Sequence, residues 1–173
     1  MPTIESERSA EQLPAEGVQF EEDFIFRINR TITTTPDVAI TEFVANAWDA
    51  GAFNVSIIIP LEEGDTISIE DDGTGMSDAE FRHRWMTLSY DRQKRQGAEV
   101  EFPKGIDAHK RIAYGRNGVG RHGMLCFANE YTVETWCDGL CNKYDIAISS
   151  GREPFKIIRH QQYPKEGHGT RIS

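Results

Sequence analysis

The sequence predicts an α+β domain, an antiparallel or mixed sheet carrying helices on one face. Three observations carry the prediction. Apolar residues recur at helical spacing between residues 36 and 50, two β-rich runs follow around a tight turn, and four more β-rich runs occupy the chain after residue 130. At 173 residues the chain can bury a core of its own. Its 38% hydrophobic and 27% charged content is that of a water-soluble fold. No apolar window reaches the length of a membrane span, so no membrane partner is expected. The polar start "MPTIESERSAEQLPAEG" has no signal-peptide pattern, and residues 1–19 read as a flexible arm before a domain at 20–173.

Thr35-Pro36 reads as a helix N-cap and first helical position, and "DVAITEFVANAWDAG" continues to a glycine stop. Ile40, Phe43, Val44 and Ala47 form its apolar stripe. At about 100° per residue, Glu42, Asn46 and Asp49 gather on the other face. "FNVSIIIP" and "DTISIE" are two strands around the turn "LEEG". "SDAEFRHRWMTLS" reads as a helix, with Ser77 and Glu80 as a capping box. Residues 90 to 116 are polar, basic and aperiodic, too long for a plain connector, and are expected to form a lid or binding loop. "GVGRHGMLCFAN" reads as a glycine-opened helix. "YTVETWC", "NKYDIAIS", "FKIIRH" and "GTRIS" complete the sheet.

Charge is divided along the chain. From Thr31 to Phe81 there are eleven Asp and Glu and no Lys or Arg, whereas Arg82 to Gly123 holds ten Lys and Arg against four acids. Two solvated faces would produce this, and so would a site holding both a cation and a polyphosphate. The net charge of −9 argues against strong binding of duplex DNA. Three cysteines, Cys126, Cys137 and Cys141, are too few and too odd in number for a disulfide framework, which points to a reducing cytoplasm. Their apolar contexts suit buried thiols better than a zinc site.

The motifs narrow the chemistry. In "EDDGTGM", placing Gly73 or Gly75 at the sixth position of a calcium loop puts Ala79 or Phe81 at the twelfth, which excludes an EF-hand. A solvated acidic turn remains open. So does a carboxylate set between glycines to accept a hydrogen bond from an exocyclic amine. "YGRNGVGRHG" contains Gly118-x-Gly120-x-x-Gly123 without the strand context of a dinucleotide fold. As a Walker loop it has Arg121 and His122 where Lys and a hydroxyl belong. Its glycines still allow backbone N–H groups to converge on an anion at a helix start. Glu42, Asn46 and Asp49 suit either a wet face or a Mg²⁺ site beside a positioned base.

Taken in order, "TEFVANAWDAGA", "EDDGTGM", a long basic loop, "GRNGVGRHG" and "HGTRIS" resemble the GHKL superfamily of ATPases: gyrase B, the heat-shock chaperone of ninety kilodaltons, histidine kinases and MutL. The resemblance runs from about Phe26 to the last residue. It implies a two-layer α/β sandwich, mostly antiparallel, with ATP between sheet and helices under a lid at about 90–116. It also implies Asn46 on Mg²⁺, Glu42 as general base, Asp71 on the adenine amino group, and Gly75 and Met76 along the ring. Gly118, Val119 and Gly120 would offer N–H groups to the phosphates, and Thr170 would help hold the adenine. Asp49 and Gly115 are counted with the nucleotide-binding residues.

The first 35 residues hold no dimerisation helix with a phosphoacceptor histidine, which argues against a histidine kinase. "NAWDAGAFNVSI", helix passing directly to strand, is closer in look to MutL and MORC proteins. The resemblance implies slow ATP hydrolysis coupled to lid closure, with homodimerisation in a longer protein acting on a protein or DNA client. A nucleotide-binding switch without turnover is one alternative, and a histidine-kinase-type phosphotransfer domain is a second that ranks below it. Ser89 and Lys94 in "TLSYDRQKR", and Arg116 and Arg121 in the glycine cluster, stand where the families vary.

Overall fold

Six strands form one sheet: β1 (Val55–Ile58), β2 (Ser68–Asp71), β3 (Glu130–Cys137), β4 (Leu140–Ile148), β5 (Phe155–Pro164) and β6 (Gly169–Ile172). Their order is β1-β2-β6-β3-β4-β5, and every pairing is antiparallel. The computed structural model describes residues 21, 35–62, 64–106, 108–115, 120–149 and 153–173. The expected N-terminal arm, and Arg116, Gly118 and Val119, lie outside them. The strands fall where the sequence placed them, and the sheet is antiparallel throughout its described pairings.

Putting the last strand in the centre has a chemical consequence. In register across the sheet, Ile57, Ile69, Ile172, Val133 and Tyr144 make an apolar row. Two residues along the strands, and so on the same face, Val55, Asp71, Thr170, Thr135 and Asn142 make a largely polar row. Between these rows, on the opposite face, Glu70, Arg171, Glu134 and Lys143 alternate in sign. The apolar row anchors the core, and the polar row carries the site.

Helix α1 (Pro36–Asp49) lies in the layer over the core-facing side. Thr35 is extended and Pro36 opens the helix, since a proline there lacks only an N–H that would have had no helical partner. Gly51, at φ 73°, ends it where a Cβ would stand 3.0 Å from Phe102 Cα. The buried stripe is Ala39, Phe43 and Ala47, while Val44 is exposed. The rotation away from Val44 follows from Gly123, whose added Cβ would stand 3.1 Å from Ala39 Cβ. Two small residues let a second element come close on the Ala39 side.

That element, Gly120–Cys126, is a 3₁₀ segment kinked at His122 rather than the regular helix expected. His122 is buried and its Nδ1 shares a 2.7 Å hydrogen bond with the Tyr131 hydroxyl, which pins the kink to β3. The helix expected after Ser77 also differs. The capping box forms, but α2 (Asp78–Glu80) widens at once into a π turn, Phe81–Trp85. Phe81 stacks on Tyr144 at 3.7 Å and on Trp85 at 5.8 Å, so packing of both rings against the sheet sets the local backbone. Residues 90–115 contain α3 (Arg92–Gln96) and a bridge between Glu99 and Ile112. Tyr90, Val100 and Ala113 are buried, so this segment is anchored as well as polar.

The turn after β2 is tied back to the end of α1 by Asp72. Its Oδ1 accepts from the N–H groups of Phe53 and Asn54 at 2.7 and 2.8 Å, and Oδ2 accepts from Asn54 Nδ2 at 2.8 Å. Slight burial opposes ionisation, but these bonds outweigh it and hold the carboxyl below its ordinary range. A depressed carboxylate stabilises the fold above its unfolded pKa near 4, and the contribution is lost as pH falls through the folded value. Asp72→Ala should therefore lower unfolding free energy at pH 7 by about 1–3 kcal/mol. The deficit should shrink below about pH 4. Urea unfolding of both proteins at pH 7 and pH 3.5 checks this, and a pH-independent deficit would contradict it.

Candidate functional site

A cavity of about 830 Å³ opens between α1, the polar row of the sheet and residues 90–115. That volume is within the usual range for a small-molecule site. Its floor explains the three consecutive acids at the end of β2. Glu70 points to the charged outer face, Asp72 holds the α1–β1 turn, and Asp71 alone faces the cavity.

Asp71 Oδ1 accepts from Gly73 N–H at 2.8 Å, which fixes the carboxylate while leaving it acceptor capacity. Burial pushes its pKa up to about 6, with the charges of Asp72 and Glu70 adding to the rise and the hydrogen bonds from Gly73 and Thr170 opposing it. No described cation lies within ion-pair distance of it. The surrounding glycines are sterically required. A Cβ on Gly73 would stand 2.7 Å from Ala50 O, and one on Gly75, at φ 64°, 2.8 Å from Trp136 C. Beside them the Met76 N–H donates to Thr135 Oγ1 at 2.8 Å, and Thr135 and Thr170 hydroxyls lie 3.2 Å apart. The result is a fixed acceptor beside a shallow wall made by the Ile69, Met76 and Ile172 side chains.

Helix α1 forms the other wall. Gly73 touches Ala50, at the C-terminal end of α1, whereas Gly120 lies against Glu42, with an added Cβ only 2.6 Å from Glu42 Cδ. Eight residues at 1.5 Å rise separate those two contacts by about 12 Å along the helix. Between them, Asn46 lines the cavity with its Nδ2 buried and without a partner among the described residues. A half-turn of the side-chain amide puts its oxygen in the same place, so this group can serve a donor or a hard cation.

Asp49, counted with the nucleotide-binding residues, lines the cavity and also makes contacts within the protein. Its two carboxylate oxygens accept from Tyr114 N–H at 2.7 Å and Gly115 N–H at 2.8 Å. Arg92, itself buried, comes within 4.0 Å of the same carboxylate and donates to the Asp49, Gly97 and Glu99 carbonyls. A Cβ at Gly115 would stand 2.7 Å from Asp49 Oδ2. Asp49 therefore clamps the end of the 90–115 segment to α1, and Gly115 is there because the clamp leaves no room.

Glu42, Asn46, Asp49 and Asp71, far apart in sequence, line one cavity. Gly75, Met76, Gly115, Gly120 and Thr170 line it with them. Gly118 and Val119 are outside the described residues. Ser89 occupies a left-handed turn at φ 54°, and Lys94 pairs with Asp91 at 3.3 Å in solvent; neither reaches the cavity. Sequence reasoning missed Thr135, Tyr90 and Arg92. Only strand register reveals Thr135, and aperiodic sequence gives no signal for the other two. Among the described residues no His, Cys, Asp and Glu cluster could hold a metal, and the three cysteines are unpaired. No described helix is long and apolar enough to cross a membrane.

The comparisons agree with this geometry. The chaperone protein HtpG of Chlorobium phaeobacteroides is 30% identical over 169 residues, covering 84% of this chain and 25% of its own length. The crystal structure of the N-terminal domain of a DNA repair protein superposes with a TM-score of 0.52 at 17% identity, covering 86% of this chain and 38% of that one. The chain thus spans well under half the length of either. The profile described as histidine kinase-, DNA gyrase B- and HSP90-like ATPase matches residues 33–170. With that span matched and the antiparallel sheet under its helices, the chain belongs to the GHKL family of ATPase domains.

Proposed function

We propose that this domain binds ATP with Mg²⁺ and hydrolyses it slowly, using closure of residues 90–116 as its output. The observation that carries the reading is that a fixed carboxylate with no described cation beside it, Asp71, shares one cavity with a carboxylate and amide one turn apart on α1, Glu42 and Asn46, which stand about 12 Å and about 6 Å along the helix from the Ala50 contact next to Asp71. That spacing suits a purine at one end and a polyphosphate at the other.

In this reading Asp71 accepts a hydrogen bond from the adenine amino group, while Gly75 and Met76 lie along the ring and Thr170 steadies the contact. Gly118, Val119 and Gly120 offer backbone N–H groups to the phosphates. Asn46 would hold the metal through its amide oxygen, and its buried, unpartnered amide fits that duty. Magnesium, when bound, offsets phosphate charge. Glu42 orients a water and takes its proton as the water oxygen bonds to the terminal phosphorus and the bond to ADP breaks. Asp49 and Arg92 hold the hinge of the moving segment. Closure would change how the domain pairs with a second copy or with neighbouring domains that act on a protein or DNA client. Unpaired cysteines favour a cytoplasmic setting.

Binding and turnover are separable. Asp71→Asn should weaken ATP and ADP alike by about 10- to 100-fold, the worth of a lost buried hydrogen bond of about 1–3 kcal/mol. The same change should not destabilise the unliganded fold at pH 7. A pKa raised from 3.8 to about 6 means that ionisation costs stability progressively as pH rises across that window. Calorimetry and thermal melts of the variant read both effects, and unchanged nucleotide affinity in a folded protein would refute the assignment.

Glu42→Gln should leave ATP affinity nearly intact, because a base acts in the transition state. Turnover should fall roughly 10²- to 10⁴-fold. Steady-state hydrolysis at saturating ATP checks this. Equal rates would reduce Glu42 to a solvated helix face. Bound ATP without turnover in the wild type would favour the non-hydrolysing switch.

A further inference from the structure

The arginines that reach the cavity are not equivalent. Arg84 pairs with Glu80 at 2.8 Å, and Arg92 is spent on Asp49 and three carbonyls. Nearby Arg111 lies over Trp48 at 4.2 Å and donates to the Trp48 and Ala52 carbonyls. Arg121 also lines the cavity, yet among the described residues no carboxylate lies within ion-pair distance of it. Its guanidinium rests over the Tyr90 ring, 5.4 Å from the centroid. Tyr90 is 4% exposed and is the first residue of the segment that folds over the cavity.

Position decides which part of a ligand such a cation would meet. Arg121 follows Gly120, which packs on Glu42 midway along α1, about two turns from the Ala50 contact beside Asp71. Burial lowers its pKa to about 10, so it stays charged at neutral pH while lacking the water that would normally compensate it. A half-buried cation facing a cavity, held among the described residues by an aromatic face, gains most from an anionic group arriving beside it.

Resting on the ATP reading above, we propose that Arg121 is a specificity-determining residue that distinguishes a nucleoside triphosphate from a diphosphate. Its guanidinium pairs with the terminal phosphate, and because it sits on Tyr90 it passes that contact to the base of the 90–115 segment. The diphosphate, ending short of Arg121, leaves the Arg121–Tyr90 contact as it is.

The test uses the full chain with ADP and with adenylyl imidodiphosphate, a non-hydrolysable triphosphate, in magnesium buffer. Calorimetry gives the affinity ratio of triphosphate to diphosphate. Hydrogen exchange of residues 90–97 gives the response of the hinge. In Arg121→Met the ratio should fall by about 10- to 100-fold, and triphosphate-specific protection of residues 90–97 should disappear. Arg121→Lys, which keeps the charge and guards against a folding defect, should restore part of the ratio. An unchanged ratio in both folded variants, or an equal loss for both nucleotides, would overturn the proposal. Failure of the wild type to bind either nucleotide would instead overturn the ATP reading on which it rests.

Discussion

Everything in the site is organised around a carboxylate that the fold buries without a cation. Asp71 ends β2 between two other acids, yet its partner is a backbone N–H, and its pKa is pushed up to about 6. Burying a charge in this way costs stability, so its surroundings must hold it against neutralisation or withdrawal. Gly73 and Gly75 approach α1 and β3 more closely than any side chain would permit. Thr135 and Thr170 then fill the row beside it with hydroxyls. In the proposed reading, the donor that this acceptor takes is supplied by the ligand.

Helix α1 gives the cavity its length. Its apolar side is fixed in the core by Ala39, Phe43 and Ala47, so the polar side cannot rotate. One face therefore sets Glu42, Asn46 and Asp49 at successive heights. The lower two face open space, while Asp49 is consumed in clamping Tyr114 and Gly115. The same helix thus lines the cavity along its middle and holds residues 114 and 115 at its C-terminal end. That segment and the cavity are therefore joined through one helix.

Much of this was legible in the sequence. Period-two and period-3.6 patterns located the strands and α1, and the expected site residues that are described all line one cavity. What was not legible depends on contacts distant along the chain. Phe81 and Trp85 looked like helix positions, but Phe81 stacks on Tyr144 of β4 and Trp85 stacks on Phe81, and the helix becomes a π turn there. Val44 fits the apolar stripe by spacing, but the close approach of Gly123 moved the buried face to Ala39. Asp49 has the right residue type for a ligand, and only the fold shows that each of its oxygens also accepts a backbone N–H. Thr135 has no motif and acquires its place when β6 inserts between β2 and β3.

The central claim is that Asp71 waits for an amine. Comparing ATP with inosine triphosphate tests it most directly, because inosine has a carbonyl in place of that amine and carries its ring donor on N1 instead. At pH 7.5 Asp71 is ionised and would face the carbonyl with like partial charge, so ATP should bind the wild-type chain at least about tenfold more tightly. The gap should narrow as pH falls through about 6, where a protonated Asp71 can donate to the carbonyl. Equal calorimetric affinities for the two nucleotides at pH 7.5 would contradict the account.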